Sequence, residues 1–205
     1  MIIDISLPLT PTTPSYPGKR ALERRIDAEI GEGSGANCSS FSMDCHLGTH
    51  VDAPLHFIRL GKSIDQVLLD RFIGPCVVVE VIGRREICPE DVEFLPSSVR
   101  VLFKTVGSAL LRRGYADADE FAYLNKTAAE LLVQKGVLLV GIDAYSIDAL
   151  GSDDPAHHTF LPAGVPILEC IDLTDVVPGN YHLAALPLRL MGSEASPVRA
   201  ILIGD

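Results

Sequence analysis

The sequence predicts an α/β fold in a single compact domain, on three observations. Its 205 residues are 47% hydrophobic and 21% charged, enough for one substantial core and too apolar for disorder. Short runs rich in Val, Ile and Leu recur at strand length, while one segment carries strong helix signals. No repeat of fixed period, low-complexity tract or long polar linker divides the chain, so residues 1–205 are expected to fold as one unit.

Taken in order, Ile2 to Leu7, Cys76 to Ile82, Val99 to Phe103, Val137 to Ile142, Ile167 to Leu173 and Val198 to Ile203 read as buried strands. The helix falls between Asn125 and Gly136. Thr127 and Glu130 have capping-box spacing, Ala-Ala-Glu-Leu-Leu-Val-Gln-Lys favours helix, and Gly136 stands where a terminating glycine belongs. Shorter helical turns are expected from Ser63 to Phe72, where Ser63 and Asp65 can cap, and from Pro89 to Phe94. Gly31-Glu32-Gly33-Ser34-Gly35-Ala36 mimics a dinucleotide loop, but Asn37-Cys38-Ser39-Ser40 follows where a helix should start, which makes it a turn.

Composition excludes several functions. Mean hydropathy is high at +0.27, yet Gly, Pro or a charge interrupts every apolar run short of the ~18 to 20 residues that cross a bilayer. The start, Met1 to Ser6, has no basic region and carries Asp4, so neither a secretory signal nor a transit peptide is expected, and the cytoplasm is the expected location. The five cysteines, Cys38, Cys45, Cys76, Cys88 and Cys170, are odd in number and form no Cys-x-x-Cys pair, which suits reduced thiols. Net charge is −10, and the basic segment from Lys19 to Arg25 is broken by Glu23 and followed by Asp27, Glu29 and Glu32. Neither nucleic acid nor a membrane is an expected partner.

Chemistry concentrates in the histidines. Of six, His46, His50 and His56 form one group and His157 and His158 another, with His182 apart. The first group reads Asp44-Cys-His-Leu-Gly-Thr-His-Val-Asp-Ala-Pro-Leu-His56, its imidazoles and carboxylates all on even positions. An extended chain would point His46, His50 and Asp52 to one face with only the hydrogen of Gly48 between them, leaving room for an ion, and Cys45 to the other. Gly48 and Pro54 oppose a helix here, and the Glu of His-Glu-x-x-His is missing.

Imidazole and carboxylate without thiolate suit Zn, Mn, Fe or Co, zinc being the default. Further ligands are to be sought downstream, at His157 or His158 and at Glu169. The latter lies in the apolar strand from Val165 to Ile171 and must be paired, metal-bound or neutral there. No Gly-x-Ser-x-Gly elbow offers a nucleophile. Asp143, Ser146 and Asp148 either support the site or close a turn, the turn being favoured for Ser146 and Asp148. Tyr16, before Pro17-Gly18, either presents an aromatic face to a substrate or packs a turn.

The segment His46-Leu-Gly-Thr-His50-Val-Asp52-Ala-Pro-Leu-His56 resembles the signature of the cyclase-type metal-dependent hydrolases, whose best-known members are the bacterial kynurenine formamidases. Asp4-Ile-Ser6, Tyr16-Pro-Gly18, Gly141-Ile-Asp143-Ala-Tyr-Ser146-Ile-Asp148 and Ile167-Leu-Glu169 extend the likeness in order over nearly the whole chain. The resemblance implies a mixed, barrel-like β-sheet flanked by a few helices, of the swivelling β/β/α kind, with homodimers as the usual assembly. It implies that His46, His50 and Asp52 hold one divalent ion and that Asp52, His157 and Glu169 hold a second, Glu169 being shared. Zinc is favoured and manganese compatible. His56 would then be the proton donor and acceptor. Tyr16 stands where the formamidases usually have a substrate-stacking Trp, and Lys19 where they commonly have Asp. The implied activity is cleavage of a small aryl formamide such as N-formylkynurenine by metal-activated water. Its alternatives are another small cyclic or N-acyl amide, isatin-like rings included, and a metal-binding protein without turnover.

Overall fold

Every one of the six apolar runs overlaps a strand in the structure, a computed structural model that describes residues 1–13, 20–114 and 118–204. In chain order the strands are β1 (Ile2–Asp4), β2 (Glu23–Ala28), β3 (Cys38–Ser42), β4 (His50–Asp52), β5 (Ile73–Glu80), β6 (Glu86–Ile87), β7 (Arg100–Lys104), β8 (Tyr123–Leu124), β9 (Leu139–Ile142), β10 (Ile167–Glu169), β11 (Gly179–Ala184), β12 (Ala195–Pro197) and β13 (Ile201–Ile203). The helices are α1 (Gly107–Arg112), α2 (Lys126–Gln134) and α3 (His157–Phe160).

Among the described residues, nine strands make one mixed sheet in the order β1-β13-β11-β5-β7-β9-β10-β4-β12. Its centre, β5-β7-β9-β10, is parallel, and both flanks are antiparallel. The sheet curls on itself into a half-barrel. Just past β1 at one edge, Ser6 bridges Ile171 just past β10, and the Asp172 amide donates to the Ile5 carbonyl at 2.8 Å. Curling leaves both faces covered, which is why the central strands read as unbroken apolar runs. One core, with Val101, Phe103, Val140, Ile142 and Ile167, packs against Ala128, Ala129 and Leu132 of α2. The other, with Val51, Val78, Leu102, Leu168, Leu183 and Leu202, fills the opposite face.

Helix α2 forms where expected but starts differently. Asn125 is the cap, its side-chain oxygen accepting from the Ala128 amide at 2.8 Å, and Thr127 sits inside the first turn with its hydroxyl on the same oxygen. Gly136 ends the helix at φ +71°. Single 3-10 turns occupy Ile64–Gln66, with Ser63 at its cap position, and Pro89–Asp91, with Pro89 first; a third, Leu69–Arg71, follows Leu68, and Asp65 lies inside the first of these turns instead of capping one. The glycine-rich stretch is the loop of the β2–β3 hairpin. That hairpin is polar and exposed along almost its whole length, so it left no hydrophobic pattern to read. All five cysteines are free thiols. Among the described residues, no helix is long and apolar enough to cross a membrane.

Asp143 supports the framework. Buried after β9, its carboxylate accepts from the amide and hydroxyl of Thr105 at 2.9 and 2.6 Å and from those of Ser108 at the same two distances. Burial pushes its pKa up although all four bonds favour the charged form. The group ties the end of β9 to the start of α1 and takes no part in the histidine cluster.

Candidate metal centre

The register of two strands assembles most of the site. Antiparallel pairing of β4 with β10 sets Glu169 opposite His50 and Ile167 opposite Asp52. Directly paired residues share a face, and so do residues two apart on one strand. His50, Asp52 and Glu169 therefore project together, on the face that carries Ile167 and the α2 core. The Thr49 hydroxyl locks this pairing by donating to the Cys170 carbonyl at 2.6 Å while accepting from the Leu7 amide at 2.8 Å.

His46 arrives by another route than an extended chain. Residues 45–49 are turns and bends, and the strand begins only at His50. Gly48 takes φ +65°, a left-handed conformation that costs glycine little, and folds His46 back over the strand. The glycine thus turns the chain instead of leaving a gap for an ion. Its carbonyl also meets His50 Nδ1 at 2.8 Å, aiming His50 Nε2 inward. Cys45 lies in the same turn, with Sγ 3.6 Å from the Ser193 hydroxyl.

Helix α3 supplies His157. Asp148, expected as a turn residue, instead accepts from the Ala156 and His157 amides at 2.8 and 3.0 Å and meets His157 Nδ1 at 2.6 Å. It fixes the start of α3 and points His157 Nε2 at the other ligand candidates. Nothing in the spacing of Asp148 from His157 signalled this. Ser146 is the turn residue, its hydroxyl accepting from the Asp148 amide. His157 is buried and His158 exposed, with its ring edge against Phe57. The structure thus brings the first histidine of the pair to the cluster.

Asp52 and Glu169 each divide their oxygens between two imidazoles. His50 Nε2 lies 3.5 Å from Asp52 Oδ1 and 3.4 Å from Glu169 Oε2. His157 Nε2 lies 3.5 Å from Asp52 Oδ2 and 3.5 Å from Glu169 Oε1. His46 Nδ1 joins Asp52 Oδ1 at 2.9 Å. Donors about 3.3–3.4 Å apart are what tetrahedral coordination with bonds of about 2.0–2.1 Å requires.

The residues fit metal ions on a second count. His50 Nε2 and Asp52 Oδ2 are buried with no hydrogen-bond partner among the described residues, and Asp52 Oδ1 has the His46 ring at 2.9 Å but out of hydrogen-bonding alignment, a state that is costly unless a cation completes it. Burial opposes a charge on His50, but Asp52 and Glu169 outweigh it and hold the imidazole well above its usual range. For His157, burial is again outweighed, here by Asp148 and Asp52, and its pKa is raised to about 10. Asp52, though buried, is held well below the usual carboxylate range by His50, His157 and His46. Without an ion, protons on the imidazoles balance the carboxylates; a divalent cation would take their place.

His56 closes the single turn Pro54–His56 beside this cluster, its ring centroid 4.2 Å from that of His46 and 5.9 Å from that of His157. Phe57 stacks on His157 at 4.5 Å. A cavity of about 230 Å³ opens over the group, lined also by Tyr145, Ser146 and Asp154. Tyr16 and Lys19 lie outside the described residues. Sequence reasoning missed Phe57, which only its place next to His56 could have flagged. It also missed Glu194, whose Oε1 is 3.5 Å from His46 Nε2.

Imidazoles sharing two carboxylates at the rim of a curled sheet, under a cavity with a further histidine, define a site of the metal-dependent hydrolase class. Comparisons with known proteins agree. The Cyclase family model matches residues 3–149. The kynurenine formamidase of Salinibacter ruber is 41% identical over 206 residues, which cover 98% of this chain and 96% of that protein. Among solved structures, the predicted metal-dependent hydrolase from Bacillus stearothermophilus superposes with a TM-score of 0.84 at 33% identity, over 98% of this chain and 97% of that one. Isatin hydrolase A from Labrenzia aggregata, bound to benzyl benzoate, gives a TM-score of 0.89 at 25% identity, over 100% of this chain and 94% of that one. This chain belongs to the cyclase family.

Proposed function

We propose that the protein is a metal-dependent arylformamidase that hydrolyses a small aryl formamide of the N-formylkynurenine type to formate and the free arylamine. The carrying observation is that Asp52 and Glu169 each offer one oxygen toward His50 and the other toward His157. Carboxylates shared in this way suit a two-ion site. His46, His50 and Asp52 would hold one divalent ion and Asp52, His157 and Glu169 the other, with zinc best matched to this nitrogen and oxygen set and manganese also compatible. Such ions supply Lewis-acid polarisation of a carbonyl and a water whose pKa falls to about 7.

The chain's own residues do the rest. Asp148 and the Gly48 carbonyl hold the His157 and His50 rings in one orientation, so the centre is organised before substrate arrives. His56, at the cavity wall, passes a proton to the amide nitrogen as the C–N bond breaks, a task imidazole performs near neutral pH. Phe57 and Tyr145 offer an apolar wall for the aryl ring. An open cavity beside a histidine suits turnover better than a structural ion site, which has four protein ligands and no open position.

Identity to a kynurenine formamidase favours the open-chain formamide, and the likeness to isatin hydrolase A makes a cyclic amide the second reading. Purified metal-replete protein is expected to release aromatic amine from N-formylkynurenine with kcat/KM of about 10⁴ M⁻¹s⁻¹ or above and to open isatin at least about tenfold less efficiently. The reverse preference would move the substrate to cyclic amides, and no turnover of either would remove both readings.

The enzyme is proposed to work in the cytoplasm, whose reducing conditions suit its free thiols, and as a homodimer. The β2–β3 hairpin supports the dimer. A two-stranded ribbon is marginal alone, yet this one leaves Ile26 and Phe41 55% and 69% exposed, surface that a second copy would cover. Light scattering should give twice the 22.0 kDa chain mass; a mass of one chain would refute the dimer.

A further inference from the structure

The structure assigns Glu194 a role in the candidate metal centre: we propose that it is the positioning residue for His46, holding the outer nitrogen of that ring and so setting how tightly the ion on the His46 side is bound. This rests on the two-ion site proposed above.

An imidazole can turn only one nitrogen to an ion, and the partner of the other nitrogen fixes its tautomer, orientation and basicity. His50 has the Gly48 carbonyl on Nδ1 at 2.8 Å, and His157 has Asp148 on Nδ1 at 2.6 Å. His46 is mounted the other way round. Its Nδ1 faces Asp52 Oδ1 at 2.9 Å, which makes Nε2 the outer nitrogen, and the acid at ion-pair distance from Nε2 is Glu194, at 3.5 Å.

Glu194 is placed there by the sheet edge. Strand β12 pairs with β4 so that Ala195 lies opposite Asp52, which brings the preceding residue alongside the centre. Its backbone is pinned: the Glu194 carbonyl accepts from the Ala53 amide at 2.9 Å, and the Ser193 carbonyl from the Ile64 amide at 2.8 Å. The Ser193 hydroxyl lies 3.4 Å from Glu194 Oε2, the oxygen not facing His46. The side chain is 42% exposed, against 1% for Asp148. His46 is thus the one of the three rings whose outer nitrogen faces a partly solvated group, and Glu194→Ala would remove that group without opening a cavity in the core.

The test measures zinc binding by the full-length protein through competition with a chromophoric chelator, for wild type, Glu194→Ala and Glu194→Gln, together with the melting temperature of each metal-free form. Glu194→Ala is expected to weaken one of two ions by about 10- to 100-fold and to leave the other ion and the metal-free melting temperature unchanged. Glu194→Gln, which keeps an acceptor oxygen but not the charge, should fall between. Equal affinities in wild type and Glu194→Ala would overturn the assignment. So would equal weakening of both ions with a lower metal-free melting temperature, which marks a merely structural side chain. A wild-type protein that binds no zinc would instead overturn the metal centre itself.

Discussion

Asp52→Asn is expected to yield a folded protein that has lost its metal and, with it, about 10³-fold or more of kcat/KM, since the polarising charge of the ions is worth several kcal/mol to the transition state. The substitution keeps the shape of the side chain and removes its charge. Asp52 is fully buried, and its two oxygens face His50 and His46 on one side and His157 on the other, so one exchange undoes both halves of the centre. The fold should survive. Once the carboxylate is gone, the imidazoles it held in the protonated form can release their protons, which limits the cost of the change. Elemental analysis of the purified variant and circular dichroism check both halves. A variant that keeps its full complement of metal would show that Asp52 is not a ligand.

His56→Ala separates proton transfer from metal binding. If His56 carries the proton to the leaving nitrogen, its removal leaves metal content intact and lowers kcat by about 10²- to 10⁴-fold, the usual worth of a positioned acid or base. The geometry makes this a demanding test, because one nitrogen each of His46 and His56 and an oxygen of Asp52 all lie within 4.8 Å of one another. Loss of an ion along with activity would make His56 a ligand. Unchanged activity would remove it from the chemistry.

Much of the site was legible because its parts are chemically conspicuous. Three histidines and an aspartate within a few residues, and a glutamate inside an apolar strand, stand out against any background of core or surface residues. Their assembly was less legible. The even spacing pointed to an extended segment, but the turn at Gly48 depends on packing that spacing does not encode, and the alternation holds only for His50 and Asp52 on β4. Glu194 was missed, and Asp148 was read as a turn residue in preference to a support of the site, for a plainer reason. Each meets its histidine through tertiary structure, one through the loop before α3 and the other through the pairing of β12 with β4. The fold follows the same division. Strands buried on both faces announce themselves by continuous apolar runs, whereas β11, with Asn180 and His182 among its residues, and the polar β2–β3 hairpin carry no such signal. α1 and α3 are six and four residues long, too short to establish a helical period.

The most direct test of the central claim, that Asp52 and Glu169 organise ions for amide hydrolysis, is to strip the protein of metal, confirm that it stays folded, and follow N-formylkynurenine hydrolysis as zinc is returned. Activity should be absent at the start and climb to a plateau at about two ions per chain, with the circular dichroism spectrum unchanged throughout. Hydrolysis that persists in the metal-free protein, or that fails to appear once zinc is bound, would contradict it.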